Sequence, residues 1–264
     1  MNKKDKTTNT AKKRHLLAFK KMRAGQGTRG LTTTEGHRVG GQSGTLRAAI
    51  FGINDGLVSN LSLVMGVVSA STDSRFVLLA GVAGLLAGAF SMGAGEYVSM
   101  SAQRELFENQ IAIERRELAE DLQGEHEELA LIYRDKGMSP DEAVRLATKM
   151  MANLDIALDT HVREELGLNP DELGSAWGAA LSSFVAFVLG AIVPVMPYIF
   201  FSNPTALILS VGLSGLALFG VGAALSIFTG RYWLYSGVRM LLIGGIAAVV
   251  TYLVGRVVGV STGL

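Results

Sequence analysis

The chain has 264 residues, no cysteine, 49% hydrophobic residues and a mean hydropathy of +0.34, a balance foreign to soluble globular proteins. Disulfides and thiolate metal centres are therefore excluded. The net charge of +1 hides a segregation: residues 1–47 carry 12 Lys/Arg against 2 acids, residues 101–173 carry 8 against 18, and the rest of the chain carries 4 against 3.

Residues 1–44 are polar, basic and rich in Thr and Gly, and lack the apolar core of a signal peptide. They predict a disordered basic tail held in the cytosol by the positive-inside rule, with a short amphipathic helix possible over His15–Arg23. No folded nucleic-acid module accompanies the basic run, so nucleic acid is not expected as a partner.

The run Leu46–Ala70 is long and apolar enough to cross a hydrocarbon core of about 30 Å as a helix, yet Asp55 lies near its centre beside Asn54. A carboxylate at that depth costs roughly 2.5–3.5 kcal/mol, so it should face a pathway, a partner charge or an ion. The bland alternative is a helix that starts late and leaves Asp55 at the interface. At helical spacing Asp55, Ser59 and Ser62 form one polar stripe. A turn at Ser71–Arg75 leads to a second span, about Phe76–Met100, so that residues 45–100 hold spans one and two. Gly81, Gly84 and Gly88 leave little bulk on span two, which predicts close helix contact and a homodimer with spans one and two at its interface. Met92 and Glu96 share a face. Alone, Met92 reads as packing and Glu96 as an interface residue. Together with the Asp55 stripe they offer oxygen ligands plus one sulfur, a set that suits a divalent first-row metal better than Mg²⁺ or Ca²⁺.

Residues 101–173 predict an acidic helical region on the cytosolic side. Its first helix continues from span two, and Ser139 caps a second that starts at Pro140. Further helix ends near Leu166 with Gly167 as the stop. If Gly124 leaves the first helix unbroken, Glu114, Glu117, Asp121, Glu125 and Glu128 fall within about 80° of one another. That pattern fits a solvated acidic face or a cation-binding one, since like charges at this spacing destabilise a helix unless neutralised. Residues 174–264 hold three more spans, about Ser175–Ile199, Thr205–Phe228 and Trp233–Val258, with the C-terminus on the far side.

The stretch RAAIFGINDGLVSNLSLVMGV from Arg47, GEYVS at Gly95–Ser99, EELGL at Glu164–Leu168 and GAIVPVMPY at Gly190–Tyr198 resemble the vacuolar iron transporter family over about Leu46 to the C-terminus. The resemblance implies an all-α polytopic fold of five transmembrane helices, a homodimer with the pathway between subunits, and a cytosolic three-helix metal-binding insert between helices two and three. It implies Fe²⁺, and in some members Mn²⁺, leaving the cytosol in exchange for protons. It places the transport pathway at Asp55 and Met92, to which the helix faces read above add Glu96 and Ser59, and metal ligands at Glu114, Glu117, Glu125, Glu128 and Glu165. His161 and Val162 stand where the family carries a methionine pair. His161 is thus a substitute ligand or an ordinary surface histidine. A second-span glutamate of some members is replaced by Gly84 or a neighbour.

The resulting expectation is a proton-coupled exporter of Fe²⁺, with Mn²⁺ or Zn²⁺ as alternative substrates and no permanently bound cofactor. Its partners are divalent ions, protons, the bilayer and a second copy, and it is not an enzyme. Metal and proton would compete for the Asp55 carboxylate. The expected setting is a bacterial cell membrane, or a vacuolar-type membrane in a eukaryote. A membrane-bound di-iron carboxylate oxidase is the main alternative, but it needs Glu-x-x-His pairs on two helices, which are missing around His126 and His161. A metal-regulated cation channel is the other.

Overall fold

Asp55 lies midway along an unbroken helix. The computed structural model describes residues 40–71, 73–169 and 174–262, and in it the first apolar run forms α1 (Gly40–Ala70). The helix begins before Leu46, so a late start does not bring Asp55 to an interface. The expected basic tail falls outside the described residues as far as residue 39.

Among the described residues eight further helices follow: α2 (Ser74–Glu120), α3 (Leu122–Asp135), α4 (Pro140–Met150), α5 (Leu154–Glu164), α6 (Ala176–Val195), α7 (Pro197–Phe200), α8 (Thr205–Thr229) and α9 (Trp233–Thr262). Five of these nine, α1, α2, α6, α8 and α9, are long and apolar enough to cross a membrane. They alternate in direction. Met100, Ala48 and Ala179 pack together at one end, here called the near end, whereas Ser74 Oγ accepts from the Asn203 amide at the far end. Tyr97 and Trp177 meet in a tilted pair at the near end, with ring centroids 4.9 Å apart, and Trp233 begins α9, as expected for amphipathic rings near an interface.

The centre of the bundle is α6. Half of its apolar window is buried, against 11% for α9, which places α9 on the outside. Glycines set the contact of α1 with α6. A methyl group at Gly56 would lie 2.3 Å from the Phe187 carbonyl oxygen, and one at Gly190 would lie 2.2 Å from that of Ile53, so the backbones touch directly. The glycines expected to face a second copy are covered within the chain: Gly81 faces Val195, Gly84 faces Leu63 and Asn60, and Gly88 faces the Phe187 ring. Small residues on α2 therefore give no separate argument for a dimer. The third span is also shorter than expected. It ends at Val195, and Pro197, which has no amide to donate, opens the single turn α7.

With 47 residues, α2 is about 70 Å long, more than twice the hydrocarbon thickness. Its apolar part stops near Met100, and residues 101–120 are a polar extension beyond the bilayer zone. The extension does not run into α3. Asp121 leaves helical geometry (φ −142°, ψ 62°), and its carboxylate accepts from the Gly124 amide at 3.0 Å, ending one helix and capping the next. The single acidic helix face expected from Glu114 to Glu128 is thus divided at Asp121 rather than at Gly124, because a carboxylate able to cap competes with continuation of the helix. The later boundaries follow the local signals. Ser139 and Glu142 form a capping box, the Asn153 side chain accepts from Asp155 and Ile156 amides, and Gly167 takes φ +66° after α5. Leu129, Ala130 and Tyr133 of α3 pack on Ala143 and Ala147 of α4, and Lys136 pairs with Glu164.

Candidate functional site

Helical periodicity on α1 and α2 turns four of the candidate side chains towards one space. Asp55 and Ser59 from α1 and Met92 and Glu96 from α2 line a cavity of about 440 Å³. It runs from Arg47 and Ser99 at the near end to Asn60, Leu63 and Gly84 deeper in the bundle, with Phe187 of α6 as a wall. Ser59 donates to the Asp55 backbone carbonyl at 2.6 Å, which leaves its oxygen lone pairs for the cavity. Met92 is partly buried against the Ala89, Phe187 and Ala191 cluster, so it packs and lines the cavity at once. Ser62, the third member of the expected stripe, is not among the lining residues, and its buried Oγ has no hydrogen-bond partner.

Beyond the cavity the far end is closed by an apolar cluster. Val64 of α1, Val77 of α2, Val195 of α6, Tyr198 of α7 and Ala206 of α8 are all buried together. Arg47 and Asn60 also line the cavity, and neither is among the candidate residues of the sequence reading.

A second polar group lies past the apolar part of α2. Glu114 of the α2 extension, Glu125 of α3 and His161 of α5 are 3%, 5% and 0% exposed, and one ligand atom from each lies within 4.8 Å of the others. That spacing is close to what one first-row ion spans with bonds of about 2.0–2.2 Å. His161 is therefore no surface histidine. Its Nδ1 lies 2.9 Å from the Ala157 carbonyl and its Nε2 3.2 Å from the Glu125 carbonyl, with a Glu125 carboxylate oxygen 3.8 Å from Nε2, and a neutral ring donates to one of the two carbonyls. The Glu114 Oε1 and Glu165 Oε2 atoms are buried with no hydrogen-bond partner.

The electrostatics follow from that packing. Burial, then the charges of Glu114, Glu128 and Glu125, push the Glu165 carboxyl up to about 8, with His161 pulling the other way. Burial, then Glu125, Glu117 and Glu128, push Glu114 up to about 7. Glu117 is exposed and Glu128 half-buried, so both reach the group mainly through their charge. Such carboxyls hold protons near neutrality, and a divalent cation can take the protons' place. The break at Asp121 and the docking of α5 bring Glu125 and His161 to Glu114, a convergence that a single straight helix could not give.

Five membrane-crossing helices around an intramembrane carboxylate, with a buried carboxylate–imidazole group beyond them, define a multi-pass membrane protein that gathers its polar groups along α1 and α2. The sequence profile of the VIT family matches residues 46–256, and the chain belongs to that family. It is 34% identical over 220 residues to a vacuolar iron transporter of Acanthamoeba castellanii, covering 81% of this chain and 79% of that one. It is 32% identical over 226 residues to vacuolar iron transporter 1 of Arabidopsis thaliana, covering 85% and 90%. To vacuolar iron transporter 1 of Oryza sativa subsp. japonica it is 32% identical over 208 residues, covering 78% and 82%.

Proposed function

We propose that the chain carries Fe²⁺, and also Mn²⁺, out of the cytosol in exchange for protons. The observation that carries this reading is the cavity itself: a carboxylate, a hydroxyl and a thioether from two helices line one space that is closed at its far end by apolar side chains. Vacuolar iron transporters among its relatives supply the metal. The 12 Lys/Arg of residues 1–47 support a cytosolic near end. Residues 101–173 then form a cytosolic metal-binding domain, and Glu114, Glu125, His161 and Glu165, with the charges of Glu117 and Glu128, concentrate the ion there.

Metal passes Glu96 into the cavity and exchanges water for Asp55, Ser59 and Met92. Sulfur from Met92 favours Fe²⁺ over Mg²⁺, which gives up its waters reluctantly. Asp55 binds either a proton or the cation, so a proton arriving from the far side drives the metal off and the two flows are coupled. Release needs the Val64–Val77–Val195 cluster to part, which is the alternating step. A second copy of the chain covers the outward stripe of Leu79, Val82, Leu86 and Phe90 on α2.

Purified protein in vesicles with an imposed pH gradient tests the coupling. Uptake of Fe²⁺ should rise several-fold when the gradient drives protons out of the vesicles as metal enters. Equal uptake with and without the gradient would make the protein a channel or uniporter.

A further inference from the structure

Asn60 lies at the closed end of the cavity, beyond Asp55 and Ser59 on α1, and is 2% exposed. Its Nδ2 donates to the Gly81 carbonyl of α2 at 3.2 Å and to the Ala191 carbonyl of α6 at 2.7 Å. An amide has two N–H bonds, and both are used. They also fix which way round the amide sits, because the reverse orientation would set Oδ1 against two carbonyl oxygens. Oδ1 is left buried with no hydrogen-bond partner. What stands across from it is Gly84, also a cavity residue: a Cβ there would lie 2.9 Å from Oδ1 and 2.3 Å from the end of the Leu63 side chain. With no side chain at Gly84, the end of the Leu63 side chain is what borders the oxygen on that side, and its movement would open the oxygen to the cavity.

We propose that Asn60 Oδ1 is a ligand of the transported divalent ion, the last oxygen the ion meets before the apolar closure at Val64 and Val77. The proposal rests on the transport reading above and adds a residue and a selectivity to it. A buried acceptor held without a partner is stabilised when a cation or its last water arrives. The donor is neutral, so it replaces hydration without adding a charge that would trap the ion, and binding that is too tight would prevent release. A carbonyl-type oxygen favours Mn²⁺ and Fe²⁺ relative to Zn²⁺, which leans more on the thioether of Met92. The two Nδ2 bonds meanwhile tie α1, α2 and α6 together at the depth where the cavity ends, so ligand and closure share one side chain.

Replacing Asn60 would remove the interhelix bonds as well as the oxygen, and the test therefore covers the oxygen from the other side. Full-length Leu63→Ala and Leu63→Ala/Gly84→Ala are compared in vesicles for uptake of Mn²⁺, Fe²⁺ and Zn²⁺, with thermal unfolding of each protein. Removing the Leu63 methyl groups relieves the 2.3 Å clash and leaves the 2.9 Å approach to Oδ1, which a shift of the new Cβ into the vacated space relieves while the Nδ2 bonds stay. The double variant should unfold at the same temperature as Leu63→Ala. It should lose about tenfold in Mn²⁺ and Fe²⁺ uptake, the scale seen when a support of a metal site is removed, and distinctly less in Zn²⁺ uptake. Unchanged uptake, or an equal fall for all three ions, would overturn the proposal while leaving transport through Asp55 intact. Wild-type vesicles that take up none of the three would overturn the transport reading and this one with it.

Discussion

The cavity between α1 and α2 sets the Asp55 carboxylate within the membrane-crossing part of α1, with Glu96 and Arg47 also on its wall, whereas the group past the apolar part of α2 crowds Glu114, Glu125 and Glu165 around His161. The first arrangement places one charge where its cost is high, so a cation there must fit that charge and a few neutral donors. The second stores repulsion among several acids, so it accepts a cation readily and releases protons in return. In the proposed account the cluster gathers metal and the cavity decides what crosses. Substitutions in the two regions should then differ in strength, those in the cavity acting mainly on transport and those in the cluster mainly on stability.

Asp55→Ala should have the largest effect, abolishing metal flux while the protein stays folded, since removing a half-buried carboxylate from an apolar surround removes a cost. Uptake assays with thermal unfolding on the same sample check it, and an active Asp55→Ala chain would move the pathway elsewhere. Met92→Leu keeps the volume that packs against Phe187 but deletes the sulfur. Fe²⁺ uptake should fall by roughly tenfold, again the scale of a weakened metal site, with little change in unfolding temperature. A Met92→Leu chain that transports normally would reduce Met92 to packing.

In the cluster the larger effect is on stability. Replacing Glu114 and Glu117 together by Gln should raise the unfolding temperature without metal and remove the stabilisation by Mn²⁺. Each kcal/mol of relief corresponds to about 2–4 °C for a chain of this size. Calorimetry with Mg²⁺ and Mn²⁺ in turn tells a built site from a screened acidic surface, which would respond equally to both ions.

A smaller effect is expected with pH. Glu165 and Glu114 have folded-state values of about 8 and about 7, above the ordinary carboxyl value of 4.5 that applies when unfolded. Between 4.5 and those values the folded chain binds more protons than the unfolded one, so stability falls as pH rises through that window and levels off above about 8. The unfolding temperature should therefore decline from pH 5 towards pH 8 in chelator, and the decline should flatten when Mn²⁺ replaces the protons. A stability that rises over that range would contradict the buried carboxyl cluster.

Much of the cavity was legible in the sequence because its signals are local. Asp55 and Ser59 share a face by helical spacing, as do Met92 and Glu96, and an acid within an apolar run marks depth by itself. The capping signals at Ser139 and Gly167 are of the same kind. Asn60 was not legible, because its partners are the backbone carbonyls of Gly81 and Ala191, which no side-chain pattern announces. Asp121 read as one more acid of a stripe, since only the observed bond to the Gly124 amide separates a cap from a charged face. The burial of His161 depends on how α5 docks against α2 and α3, and the glycine contacts of α2 depend on which helix lies nearest.

The division of labour between the two regions is tested most directly by initial Fe²⁺ uptake as a function of Fe²⁺ concentration, measured on wild-type, Asp55→Ala and Glu114→Gln/Glu117→Gln chains in matched vesicles. The account predicts that the cluster variant is slow at low Fe²⁺ and approaches the wild-type rate when Fe²⁺ is raised, whereas Asp55→Ala stays inactive at every concentration. A cluster variant inactive at every concentration beside an active Asp55→Ala chain would contradict it.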